Sequence, residues 1–221
     1  MASKSHKSPV PVPPKHAGSH EIRIIGGQWK RSKLKVADKP SLRPTPDRVR
    51  ETLFNWLGQD MGGLRVVDAF AGTGALGLEA ASRGAAQVTL IEQDPALVLQ
   101  LRQVLAHLQK STDAANAQTT AHVVRGDAIA HLTGLPVQSV DGVFLDPPFG
   151  LPLFEPALRA AVRALKPTGW VYLEAPQAWD DVQLAAWGLR VHRHLKAGAV
   201  HAHLLYRTDS GVGGGVGAAQ A

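Results

Sequence analysis

The chain of 221 residues contains no cysteine. That excludes disulfides, cysteine-ligated metal and thiol chemistry. It suits the cytosol. It also contains no run of eighteen or more apolar residues, which excludes a transmembrane helix read from sequence. The opening "MASKSHKSPVPVPPKHAGSH" is basic and proline-rich and lacks the apolar region of a secretory signal. No internal repeat is present. Acidic residues are scarce at one end only. Residues 1–50 hold twelve Lys and Arg against three Asp and Glu, a balance of +9, whereas residues 51–221 hold twelve against fifteen, a balance of −3. A basic arm on a mildly acidic body fits a polyanionic partner. It equally fits a solvated tail that maintains solubility.

What is present divides into four parts. Residues 1–20 and 208–221 have the composition of a disordered basic tail and a flexible Gly/Ala tail. Residues 21–60 read as a small extension. "EIRIIGGQWKRSKLKV" predicts a hairpin turning tightly at Gly26-Gly27. "RPTPDRVRETLFNWL" predicts a helix capped by Thr45, opened by Pro46 and burying Val49, Leu53, Trp56 and Leu57. Arg43, Arg48 and Arg50 cluster at its start, either as a contact surface or as an ordinary solvated face. Residues 61–207 form the main domain. Strand and helix patterns alternate there, from "LRVVDAF" through "VDGVFL" to "GWVYLEA", which implies a mostly parallel sheet covered on both faces. "LRVHRHLKAGAVHAHLLYRT" closes it as an antiparallel hairpin at the sheet edge. "STDAANAQTT" reads as a surface loop.

The chemistry concentrates at strand ends. Gly72, Gly74 and Gly77 fit G-x-G-x-x-G between a strand and a helix, and Glu92 ends the next strand. This pairing predicts a nucleoside-containing cofactor, its ribose hydroxyls on Glu92. Asp68, at the first strand's tip, repels a pyrophosphate and suits an amino group. Asp127 suits an adenine amino group. Three acids on one rim suit a sulfonium-bearing amino-acid nucleoside such as S-adenosylmethionine. Each alone also reads as a solvated loop carboxylate. "VFLDPPFG" then ends a fourth strand. Proline cannot continue the ladder, so the strand stops at Leu145, and Asp146 and Phe149 stand on a stiff loop.

"DAFAGTGALG…IE…GDA…DPPF" resembles the class I S-adenosylmethionine-dependent methyltransferases that methylate amines. With "IRIIGGQWK" and "RPTPDRVRETLFNWL" upstream, the chain resembles the RsmD family of ribosomal RNA guanine-N2 methyltransferases from about Ile22 to Arg207. The resemblance implies a Rossmann-like α/β fold with a seven-stranded sheet. It implies Asp146, Pro147, Pro148 and Phe149 as the catalytic loop, the acid and backbone carbonyl accepting from an amine and the ring stacking on its base. It implies Asp68, Phe70, Gly72, Thr73, Gly74, Glu92, Asp127 and Ala128 as the cofactor site. The partner implied is 16S ribosomal RNA in the assembled or assembling small subunit, with Arg23, Lys30, Arg31, Lys33, Arg43, Thr45 and Arg48 as RNA contacts. A monomer is expected. "KRSKL" departs from the family's R-G-R-K-L, with Ser32 in place of glycine. A DNA adenine-N6 or cytosine-N4 methyltransferase is the main rival, although no room remains for a sequence-recognition domain. A protein glutamine methyltransferase, a non-catalytic RNA-binding assembly factor and a nicotinamide oxidoreductase are further rivals. His192, His194, His201 and His203 can share one face of the last hairpin, which would suit zinc. The family carries no metal there, and an alternating edge strand explains the same spacing.

Overall fold

The computed structural model describes residues 21–35, 45–111 and 119–208. Most of both tails, Arg43 and most of the 111–120 loop lie outside the described residues. A seven-stranded sheet has the order β5-β4-β3-β6-β7-β9-β8. Strands β3 (Arg65–Asp68), β4 (Gln87–Glu92), β5 (Thr120–Arg125), β6 (Val140–Leu145) and β7 (Leu165–Ala175) pair in parallel. Strand β9 (Val200–Arg207) runs antiparallel between β7 and the edge strand β8 (Leu189–Ala197). Strand order reverses between β3 and β6, so a crevice opens beyond their carboxyl ends. Helices α2 (Ala75–Ser82) and α3 (Pro95–Lys110) pack on one face, α4 (Ala128–Gly134) and α5 (Phe154–Ala164) on the other.

Local chemistry fixes several boundaries. The Asp94 carboxylate accepts from the Ala96 and Leu97 amides, and Pro95 opens α3 behind it. Pro147 and Pro148 come one residue after β6, which ends at Leu145, as the sequence predicts. Every residue of α2 is buried. A helix apolar on nearly all sides needs cover on both. The sheet covers one side and the N-terminal extension the other.

That extension differs from its predicted form. Strands β1 (Glu21–Arg23) and β2 (Lys33–Lys35) have three residues each, and the loop between them spans residues 24–32. Gly26-Gly27 does not make a tight turn. A side chain on Gly27 would sit 1.8 Å from the Ser82 carbonyl, so the pair lets this loop press onto the end of α2. Helix α1 (Asp47–Leu57) begins after Pro46, with no side-chain cap. Thr45 therefore does not cap it. Phe54 is buried in the α1 seam, while Trp56 and Leu57 remain partly exposed. Ile22, Ile24, Trp29, Leu34, Val49, Leu53 and Phe54 join the same apolar cluster as Leu78 and Phe144. The extension thus shares the core of the main domain.

Candidate active site

The glycine loop between β3 and α2 is held from three sides. The Ala69 amide donates to the Phe144 carbonyl at 3.1 Å, and the Ala71 amide to the Ile91 carbonyl at 2.9 Å. The Gly72 amide donates to the Glu92 carboxylate at 2.9 Å. Gly74 has φ +78, and a side chain there would sit 2.6 Å from Leu101. Gly77 lies against Asp68, and its amide donates to that carboxylate at 2.8 Å. These glycines therefore serve the turn and the close approach of helix to strand. Phe70 and Thr73 are half-buried on this loop.

All three sequence-predicted cofactor acids stand at consecutive strand ends, and each already carries backbone hydrogen bonds. Glu92 accepts from Gly72 and, at 2.8 Å, from Asp94. Asp127 caps α4 by accepting from Ala130 at 2.7 Å, with Ala128 buried beside it. Asp68 is buried. Desolvation pushes its carboxyl up to about 7, the Gly77 amide pulls the other way, and Glu92 and Glu174 push further upward. A neighbouring ammonium would relieve this. The donor set therefore fits a cationic amino-acid nucleoside better than a pyrophosphate, which would add like charge to three carboxylates.

Strand β6 brings Asp146 to the same rim, half-buried beside β3, because Asp68 pairs with Phe144. Pro147 is buried and Phe149 is 39% exposed. One residue escaped the sequence reading. Glu174 stands at the end of β7, and its predecessor Leu173 pairs with Leu145. Glu174 is buried, and its Oε1 accepts from the Tyr172 hydroxyl at 2.9 Å and the Thr45 hydroxyl at 2.8 Å. Burial, then Glu174, pushes the Tyr172 hydroxyl well above the usual tyrosine range. The acid at the end of "VYLEA" was the available signal, since the same strand-end rule had picked out the others.

Of the predicted RNA contacts, Arg23, Lys30, Arg31, Lys33 and Arg48 are exposed. Arg23 lies 3.5 Å from Asp47 and Lys33 2.8 Å from Glu21. Thr45 is a correction: it is buried with its hydroxyl turned to Glu174, so it is wall rather than surface. The histidines are also divided. His194, His201 and His203 stack with centroids 4.7–6.4 Å apart. A bulge between Val191 and Arg193 sends His192 against Tyr206 instead.

The family described as conserved hypothetical protein 95 matches residues 22–206. A relative from Escherichia coli strain K12, ribosomal RNA small subunit methyltransferase D, is 43% identical over 89% of this chain and 95% of its own length. The chain belongs to the RsmD family of methyltransferases. A family member of the same name from Haemophilus influenzae is 40% identical over 78% of this chain and 92% of its own. The solved structure of yhhF from Escherichia coli superposes with a TM-score of 0.69 at 38% identity, covering 85% of this chain and 98% of that one. The fold and the family of the site described above therefore agree.

Proposed function

We propose that the chain transfers a methyl group from S-adenosylmethionine to the exocyclic N2 amine of one guanine in 16S ribosomal RNA. The RNA is presented by the assembled or assembling small subunit, and the enzyme works as a cytoplasmic monomer. The observation that carries this reading is the stiff Asp146–Phe149 loop, with its acid on the cofactor rim and its ring open to solvent. The names of the relatives at 43% and 40% identity support the ribosomal substrate.

When bound, S-adenosylmethionine supplies an electrophilic methyl group on a cationic sulfur. Asp68, Glu92 and Asp127 hold it through its amino, ribose and adenine groups, against the glycine loop. A guanine amine is a poor nucleophile because its lone pair is delocalised into the ring. The Asp146 carboxylate and the Pro147 carbonyl accept its two N–H bonds and favour the pyramidal nitrogen that develops during transfer. The two prolines fix both acceptors, and such positioning contributes up to roughly 7–11 kcal/mol. Asp146 also faces the positive charge that develops on nitrogen. It need not be a strong base, because the product ammonium is very acidic. Phe149 stacks on the base.

Tritiated methyl transfer to small subunits from a strain lacking its own enzyme tests this. The digested RNA should contain N2-methylguanine, and its absence sinks the proposal. Asp146→Ala and Phe149→Ala should lower transfer by about 100-fold or more while cofactor affinity holds within about twofold. Loss of cofactor binding in Asp146→Ala would remove Asp146 from the acceptor side.

A further inference from the structure

A line of aromatic rings leads away from the catalytic loop. Phe149 lies 6.2 Å from Phe154, Phe154 6.1 Å from Trp179, and Trp179 5.6 Å from Trp187, measured between ring centroids. Successive planes tilt by 34°, 38° and 48°. None of the four is fully buried. Trp187 also lines an open groove of about 500 Å³, together with Glu155, Arg159, Val162 and Ala186. The path starts at β6 and continues past the end of β7. The acids Glu92 and Asp127 lie the other way, over β4 and β5.

The path is also fixed in place. The Trp179 amide donates to His203 Nε2 at 3.0 Å. That nitrogen must then carry a lone pair, so the proton sits on Nδ1, which faces the Leu173 carbonyl at 3.3 Å. His203 is fully buried on β9. A polar core residue thus pins the backbone of a half-exposed tryptophan. One residue later a capping box at Asp180 starts the short helix α6 (Asp181–Leu184), and Asp181 accepts from the Val191 amide at 2.7 Å. The nearby Asp180 and Asp181 carboxylates are thereby engaged by backbone amides.

We infer that Phe149, Phe154, Trp179 and Trp187 form a stacking surface for the single-stranded RNA that flanks the methylated guanine. This deepens the proposed function and rests on it. The occupant follows from continuity: Phe149 is the ring proposed to hold the target base, and Phe154, Trp179 and Trp187, each partly exposed where it packs on the core, continue from it. Ring faces accept any base, and the exposed Arg159 at the far end suits a phosphate. The path therefore extends the grip on the strand without reading its sequence.

The test compares Trp179→Leu and Trp187→Leu, which keep apolar bulk but lose the π face, with Trp179→Phe and Trp187→Phe, which keep a ring. The Leu variants should raise KM for small subunits about 5- to 100-fold at unchanged cofactor affinity, and the Phe variants should recover most of it. An oligoribonucleotide carrying 2-aminopurine beside a single guanine should be quenched by the wild-type protein and much less by the double Leu variant. Absence of wild-type quenching overturns the inference, whatever the variants' stability. Equal behaviour of Leu and Phe variants also overturns it, and a KM effect on subunits without quenching of the oligonucleotide assigns the face to a ribosomal protein instead. Failure of wild-type methyl transfer is a different result and sinks the proposed function itself.

Discussion

Asp68 is the residue on which backbone geometry and charge meet. It ends β3, receives the Gly77 amide and sits among carboxylates, with burial pushing its carboxyl up to about 7. The folded pKa lies above the ordinary 3.8, so the folded state holds the proton more tightly between these values. The associated stability is fully present below about pH 4 and is lost as pH rises through about 7. Asp68→Asn should accordingly flatten the fall in melting temperature across this range, while its amide oxygen can still accept from Gly77. If Asp68 takes the cofactor's amino group, the charged carboxylate is the binding form. Affinity for S-adenosylmethionine should then rise about tenfold from about pH 6 to about pH 8, and Asp68→Asn should bind weakly with no such slope. Calorimetry at a series of pH values measures both. A wild-type affinity independent of pH would detach Asp68 from the amino group.

At the level of elements, the joint between the extension and α2 is an ionic one. Arg50 of α1 and Glu79 of α2 are both fully buried and lie 3.2 Å apart. Arg83 meets the other Glu79 oxygen at 2.8 Å and lies over the Phe54 ring. The Ile25 and Gly26 amides complete the shell of Glu79, each at 2.8 Å. Arg50 also donates to the Arg23 carbonyl at 2.9 Å. Three segments, α1, the end of α2 and the loop after β1, thus meet at one carboxylate. Glu79→Gln puts an amide N–H where donors converge, takes the counter-charge from buried Arg83 and leaves buried Arg50 with Asp47 alone. It should cost about 3–5 kcal/mol, read as a lower urea midpoint at unchanged slope. A change under about 1 kcal/mol would mean that apolar packing alone holds the joint. Nothing in "RPTPDRVRETLFNWL" reveals this, because a sequence shows charges but not the partner that folding delivers. Arg50 there reads as one more member of a basic face. An element whose limit is set by neighbouring residues is legible: β6 stops at Leu145 because Pro147-Pro148 lie just beyond it. The Gly26-Gly27 pair misled, because its glycines answer to α2 rather than to a local turn. Thr45 misled for the same reason, its hydroxyl going to Glu174, distant in sequence.

For the whole molecule, charge and sheet polarity together single out the end that the proposed function turns toward RNA. The described cations Arg23, Lys30, Arg31, Lys33 and Arg48 belong to the extension, which reaches the strand-end rim where Thr45 meets Glu174. The acids and Phe149 occupy that rim, and the aromatic path leaves it on the other face of the sheet. Phosphate contacts set affinity and carry little base information, so the extension should contribute affinity that salt removes. Lys30→Ala and Arg48→Ala should each weaken RNA binding and lower the slope of log Kd against log salt by about one. Lys166 is the control. It lies near the start of β7, before a bulge in that strand, and pairs at 2.8 Å with Asp141, five residues before Asp146 on the parallel β6 and so about 17 Å from the rim at a strand rise of roughly 3.3 Å. That is about twice the Debye length of about 8–10 Å at working salt, and Lys166 is already paired, so Lys166→Ala should change the slope far less than either extension variant. Equal slopes for all three variants would show that net charge alone, rather than the placement of the extension, attracts the RNA.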